Sequence, residues 1–273
     1  MTSPIRLVVS DVDGTLVDRD KRLAPATADA VRRLGEAGVG FTVISARPRS
    51  GVLPIADTLG IDAPIAAFNG GLIFRRDGTV DEHHVLDRAV AEGILAMARE
   101  EPVDIWVFAD DRWYATRDAG VHAEHERVAA NQEPVVTSDF AAVIDRVDKL
   151  TLVSDEPAVL ARLMERARAA HGGDATIAQS QTYYLDVTAP QANKGAGLVA
   201  LAAAFDVPLP AIAAIGDQYN DVPMLERAGL SIAMGNAPDG VRAVAAHVTR
   251  ANDADGVAHA IDTIILPQKG QSE

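Results

Sequence analysis

The chain has no cysteine among its 273 residues. That excludes disulfides, thiolate nucleophiles and cysteine-ligated zinc. Aromatic residues supply only 4% of the chain, so the core must be mostly aliphatic. Basic residues are outnumbered: 25 Lys and Arg face 39 Asp and Glu, a formal net charge of −14. A surface that acidic repels the nucleic-acid backbone and anionic lipid headgroups, so neither is an expected partner. An anionic ligand would have to be drawn by a few local groups or by a bound cation. Long apolar runs are missing too. No stretch nears the roughly 20 residues of a spanning helix, and "MTSPIRLVVSD" resembles neither a signal peptide nor an anchor. The expectation is a cytoplasmic protein, monomer or homodimer.

With 48% hydrophobic residues, the chain is an ordinary globular one. Short β-branched runs alternate with helical spacing. "IRLVV" (5–9), "FTVIS" (41–45) and "PIAAF" (64–68) read as strands, separated by helices over 26–38, with Gly38 as C-cap, and over "SGVLPIADTLG". This β-α-β-α-β order predicts a parallel sheet with helices on both faces. The rhythm breaks at "LIFRRDGTVDEHHV", where Asp-Gly between two β-like runs signals a hairpin. A helix (about 87–100), the strands "DIWVFA" and "RWYATR", a helical stretch near 118–130 and the strand "KLTLVS" come after it. Next are a helix from Pro157 to His171, capped by Ser154 or Asp155, and the strands "ATIAQS" and "YYLDV". The first rhythm then returns with "NKGAGLVALAAAF", "AIAAIGD", "NDVPMLERA" and "LSIAM", a helix over about 255–265 and a frayed tail "PQKGQSE". The expected fold is α/β: a Rossmann-like parallel-sheet core, residues 1–82 and 188–273, interrupted by an α+β unit over 83–187. Hinges are expected near 80–86 and 187–192.

Ligands of open α/β sheets collect at the carboxyl ends of the strands. There the sequence places "DVDGT" (Asp11 to Thr15), "SAR" (Ser45 to Arg47), "NGG" (Asn69 to Gly71) and "GDQYND" (Gly216 to Asp221). Lys194 opens a helix beside them. The edge would gather Asp11, Asp13, Asp217 and Asp221. Carboxylates so close repel one another, and a hard divalent cation with oxygen ligands relieves them; Mg²⁺ suits best if it keeps waters and a phosphate oxygen. Ser45, Lys194 and the backbone N–H groups freed by Gly14, Gly70 and Gly71 are phosphate donors. Acids for a metal and donors for a phosphate together imply phosphoryl transfer.

"DVDGTL", "SAR", Lys194 and "GDQYND", in that order, resemble the four motifs of the haloacid dehalogenase (HAD) superfamily. The unit inserted after "NGG" resembles the cap of its Cof-type sugar-phosphatase branch, and the resemblance covers nearly the whole chain. It implies a Mg²⁺-dependent phosphatase of small phosphorylated metabolites, sugar phosphates foremost. Asp11 would be the nucleophile that forms an aspartyl-phosphate, and Asp13 the acid and base. Ser45 and Lys194 would hold phosphoryl oxygens. Asp11, Asp13 through its carbonyl, and Asp217 would bind the metal, with Asn220 and Asp221 orienting that shell. Asn69 and Gly70 would line the phosphate pocket's rim, and Arg47 would bind substrate or pair with an acid. Two positions depart from the usual pattern: Ser-Ala-Arg replaces Thr-Gly-Arg, and Gln218 stands where a small residue is common. A phosphomutase would use the same aspartyl-phosphate, and a phospho-acceptor signalling module a similar acidic pair.

Other features have plainer readings. Adjacent His83 and His84 would point to opposite faces of a strand and cannot chelate together. His122 and His125 could pair on a helix but lack a third ligand nearby; they could instead face the active site from the inserted unit. Trp106, Trp113, Tyr183 and Tyr184 read as packing of the inserted sheet rather than a sugar platform.

Overall fold

The computed structural model describes residues 4–269. Strand β1 (Leu7–Ser10) leads to helix α1 (Pro25–Glu36), β2 (Gly40–Val43), α2 (Arg49–Leu59), β3 (Ile65–Ala67), β4 (Leu72–Phe74) and β5 (Val80–His83). Then come α3 (Arg88–Ala98), β6 (Asp104–Ala109), β7 (Arg112–Ala115), α4 (Val121–Ala130), β8 (Val135–Val136), β9 (Val147–Val153), α5 (Pro157–His171), β10 (Thr176–Gln181) and β11 (Tyr184–Thr188). The chain closes with α6 (Lys194–Ala204), β12 (Ile212–Gly216), α7 (Val222–Leu225), β13 (Leu230–Ala233), α8 (Asp239–Arg242), β14 (His247–Val248), α9 (Gly256–Ala260), a π turn over Ile261–Ile265 and α10 (Leu266–Lys269).

The core sheet is parallel throughout, in the order β14-β13-β12-β1-β2. β1, β12 and β13 are buried on both faces, which is why they read as unbroken apolar runs, while β14 at the edge is exposed. Val8, Val43, Ala213 and Ile215 face one hydrophobic cluster with α1 and α9, and Leu7, Val9, Ile212 and Ala214 the other, with α6 and α7. The strand 64–68 is less of a core strand than its composition predicts. It touches the end of β2 through one parallel bridge, Ile44 to Ala66, and otherwise pairs antiparallel with β4 in a three-stranded sheet. The Asp77-Gly78 turn, with Gly78 at φ +94, closes the hairpin of β4 and β5.

The inserted unit is a six-stranded sheet, β10-β11-β9-β6-β7-β8, antiparallel except for β7 with β8. α3 and α5 cover one face through a second core. The other face packs on the parallel-sheet core: Trp106, Phe108 and Trp113 join one cluster with Val12 and Phe68.

Three boundaries differ from expectation. α1 ends at Glu36, and Gly38, at φ +70, completes the turn beyond it. Glu156, not Ser154 or Asp155, takes the N-cap position of α5; Ser154 Oγ instead accepts from the Glu156 N–H at 3.1 Å. The closing helix continues through Pro267 to Lys269, because the π turn before Pro267 adjusts the hydrogen-bonding pattern where a proline lacks its donor. The last part of the tail, 270–273, lies outside the described residues.

Candidate active site

Parallel pairing of β1 with β12 sets Ser10 beside Ile215 and sends both chains into the cleft at their carboxyl ends. Asp11 leaves β1 with its N–H donating to the Ile215 carbonyl at 2.9 Å. Asp217 and Asp221 lie just past the end of β12. The carboxylates of Asp11, Asp217 and Asp221 each offer an oxygen, all within 4.8 Å of one another, and all three residues are buried. Asp221 is fixed twice over: its Oδ2 accepts from the N–H groups of Asp217 (2.7 Å) and Gln218 (2.8 Å). Asp217 accepts from Thr15 Oγ1 (3.2 Å), Gln218 Nε2 (3.2 Å) and Asn236 Nδ2 (3.3 Å). Gly14 stands at φ +83, and a Cβ there would run into the Asp217 carboxylate. The turn that carries the two acids of "DVDGT" therefore needs glycine.

Lys194, the first residue of α6, is 1% exposed. Its ammonium bonds Asp11 and, at 2.5 Å, Asp221 Oδ1. Burial alone would lower the Lys194 pKa; the two carboxylates hold it above its ordinary value. Burial raises the Asp11 carboxyl well above the usual range; Lys194 opposes this, and Asp221 and Asp217 add to it. Asp217 is pushed up to about 6, first by burial and then by Asp221. Three buried acids against one lysine leave the cluster short of positive charge. Its donor set, all carboxylate oxygen, fits a hard divalent cation.

The Asp13 side chain stands apart from this cluster of carboxylates, whereas the sequence reading gave Asp13 to the metal through its carbonyl. Arg47 takes its carboxylate in a two-pronged pair, Nε to Oδ2 and Nη2 to Oδ1, each 2.7 Å, and Lys21 Nζ adds a third contact at 2.6 Å. Burial would raise the Asp13 carboxyl, but the two cations outweigh it and hold it far below the usual range. Arg47, left open between binding substrate and pairing with an acid, pairs with Asp13 here; it is 7% exposed, also donates to the Gly51 carbonyl and lines the cleft.

These groups open onto a cleft of ≈ 780 Å³ between the core and the inserted sheet. Asp11, Asp13, Gly14, Ser45, Arg47, Asp217, Gln218 and Asn220 line it. Ser45 is buried, and its Oγ accepts from the Arg47 N–H at 3.1 Å. Asn69 and Gly70 do not line the cleft. Gly70, at φ +98, lies so close to Gly197 of α6 that a Cβ would sit 2.6 Å from its Cα, so its glycine serves a close approach of backbones. Asn69, at φ 58, accepts from Asn220 Nδ2 at 3.3 Å and so supports a lining residue from behind.

Sequence reading missed Lys21, Thr15 and Asn236. Asn236 lies just beyond β13 and also donates to the Gly14 carbonyl at 2.9 Å; its place past the end of the strand "LSIAM" is the signal that could have found it. Lys21 has no such signal, since it arrives on a loop shaped by Asp18, whose Oδ1 accepts from the N–H groups of Asp20 and Arg22. Also missed were Glu126, Lys149 and Asp186, which line the cleft from the inserted unit. Burial raises the Glu126 carboxyl, with Lys149 pulling it down and Asp186 pushing it up. His122 and His125 form no metal cluster among the described residues; His122 stacks on Tyr183 (4.0 Å between centroids) and contacts Asp155. Trp106 and Trp113 are interior packing, while Tyr183 and Tyr184 reach the cleft wall.

The family model of haloacid dehalogenase-like hydrolases matches residues 8–261. The chain belongs to that family. Phosphatase YwpJ of Bacillus subtilis (strain 168) is 28% identical, over 93% of this chain and 98% of its own length. The 5-amino-6-(5-phospho-D-ribitylamino)uracil phosphatase YwtE of the same organism is 26% identical over 97% of this chain and 99% of its own. A crystal structure of a haloacid dehalogenase-like hydrolase from Bacteroides thetaiotaomicron superposes with a TM-score of 0.86 at 27% identity, covering 95% of this chain and 99% of that one. This HAD protein is thus an enzyme of the phosphatase type, with the inserted cap of the Cof branch. HAD phosphatases generally use a divalent metal, and the buried acid triad is where this chain could hold one. No helix among the described residues is long and apolar enough to cross a membrane.

Proposed function

We propose that this enzyme hydrolyses phosphomonoesters of small metabolites, sugar phosphates foremost, through an aspartyl-phosphate on Asp11. The observation that carries the reading is the convergence of Asp11, Asp217, Asp221 and Lys194, buried together at the ends of β1 and β12 and the start of α6, beside a cleft large enough for a small metabolite. Residues 1–82 and 188–273 form the catalytic core in this reading, and 83–187 the cap that selects substrate.

Asp11, Asp217 and Asp221 would hold Mg²⁺, which supplies positive charge for the phosphoryl oxygens. An Asp11 carboxylate oxygen bonds to phosphorus while the ester oxygen leaves with the bonding pair. Water then attacks the acyl phosphate, releasing inorganic phosphate and restoring Asp11. Ser45 and Lys194 donate to phosphoryl oxygens as charge builds. Asp13, clamped as an anion by Arg47 and Lys21, is in the form that accepts a proton from water in the second half. For the first half it must carry a proton to the leaving oxygen. An incoming phosphate dianion competes for Arg47 and Lys21 and so loosens the clamp that keeps Asp13 ionised. The ribityl phosphate in the name of the relative YwtE supports a polyhydroxylated leaving group.

The test is phosphate release from a panel of phosphorylated metabolites, with Mg²⁺ and with EDTA, for wild type and Asp11→Asn. Release should require the metal and fall roughly 10⁴-fold or more in the variant, while its thermal unfolding shows an intact fold. Release that persists in Asp11→Asn would remove Asp11 as the nucleophile.

A further inference from the structure

The cap-sheet face turned toward the core is made of alternate residues. From β6 it takes Trp106 and Phe108, from β9 Lys149 and Thr151, and from β11 Tyr184 and Asp186. The opposite alternation, including Val107, Leu150 and Leu185, lies under α3 and α5. Apolar residues would seal this face best. Its middle is instead polar, and Glu126 reaches the same wall from α4.

These groups are held inside without full compensation. Asp186 is 5% exposed; its Oδ1 accepts from Thr151 Oγ1 at 2.7 Å, but its Oδ2 is sealed from solvent with no hydrogen-bond partner among the described residues. A buried carboxylate oxygen in that state is a standing penalty unless a donor arrives. Glu126, 8% exposed, has charged neighbours in Lys149 and Asp186. Lys149 lies over the Phe108 ring, 4.6 Å from its centroid, and donates to the Ala46 carbonyl at 3.2 Å, beside Ser45 and Arg47. Two carboxylates and one ammonium thus face the cleft opposite Asp11.

We propose that Glu126, Lys149 and Asp186 read the leaving group of the substrate, and that this group is a polyol. Its hydroxyls donate to the two carboxylates, and Lys149 donates to a hydroxyl oxygen. A hydroxyl both gives and accepts a hydrogen bond, so it matches a wall of mixed sign. An ammonium group would satisfy the carboxylates but would meet Lys149 on this wall and Arg47 and Lys21 on the other. The inference rests on the sugar-phosphate reading above and assigns its selectivity to three residues.

The test compares wild type, Glu126→Gln and Asp186→Asn on three monophosphates of similar length: a hexitol phosphate, an alkyl phosphate without hydroxyls and an aminoalkyl phosphate. Asparagine keeps the oxygen that Thr151 bonds, and thermal unfolding checks each fold. Wild type should prefer the hexitol ester. Each variant should lose about tenfold or more in kcat/KM on the hexitol ester beyond any loss on the alkyl ester. If wild type shows the preference and the variants lose equally on both esters, the trio is structural and the proposal fails. A wild-type preference for the aminoalkyl ester would also overturn it, in favour of a cation pocket. Absence of any hexitol preference in wild type would remove the sugar-phosphate reading itself, and this inference with it.

Discussion

Lys194 carries an unusual share of the site's electrostatics. Its ammonium is the counter-charge within bonding reach of Asp11 and Asp221, and the acids it serves are buried at the floor of the cleft. Replacing it with methionine keeps the bulk and removes the charge, leaving three acids facing one another in a medium that solvates them poorly. Breaking a buried pair in this way costs about 3–5 kcal/mol. Lys194→Met should therefore unfold at lower urea than wild type in EDTA. Mg²⁺ should restore more stability to the variant than it adds to wild type, because the ion supplies the charge that the lysine no longer does. Equal Mg²⁺ shifts in the two proteins would mean that the acids are not the ion's ligands. Activity should be lost in either condition, since in the proposed mechanism a bound ion does not replace the contact that the lysine makes with the phosphoryl group.

Elements with a clear periodic signal and a turn residue at each end were legible in the sequence. The parallel order of β1, β2, β12 and β13, the Asp77-Gly78 hairpin and α5 follow from apolar runs, Asp-Gly and Pro157. Elements two residues long, β8 and β14, leave no periodicity to read. The strand-end acids were legible because they interrupt apolar strands. The cap wall was not, because Lys149 and Asp186 look like the solvent half of an alternating strand until a second layer covers them. One element boundary adds a pH dependence. His83, at the end of β5 where the chain enters the cap, meets Asp148 of β9 at 2.5 Å. That hydrogen bond raises the imidazole's pKa; burial opposes it, and the charges of Asp148, Asp111 and Asp110 add to it. Asp148 is itself raised by burial, with His83 drawing it down. A histidine raised on folding stabilises fully below its unfolded pKa of about 6.5 and loses that contribution as pH rises through the folded value. The urea midpoint of wild type should exceed that of His83→Asn most below about pH 6, with the gap narrowing above neutrality. A gap that does not change with pH would assign the contact to packing alone.

At the scale of the whole molecule, the cleft exists because the cap rests on the core at a second place, where α4 meets α2. Ser50 Oγ donates to the Ala130 carbonyl at 2.5 Å and accepts from Gln132 Nε2 at 2.6 Å. Gly51 lies against the Ala129 carbonyl so closely that a Cβ would collide with it. Gly51 is helical, so alanine suits its backbone and the added methyl acts only on the junction. Because α4 also carries Glu126, pushing it off α2 moves one wall of the cleft relative to the strand ends that bear Asp11 and Asp217. A displacement near 1 Å at a reacting centre can cost about 100-fold. Gly51→Ala should then lower kcat/KM by about tenfold or more, with a smaller proportional effect on thermal unfolding, since the separate cores of the two layers are untouched. Small-angle scattering should give the variant a larger radius of gyration than wild type. Wild-type kcat/KM in a variant whose scattering shows the wider separation would mean that the distance between the layers does not set the rate, and that the substrate draws the cap down by its own contacts.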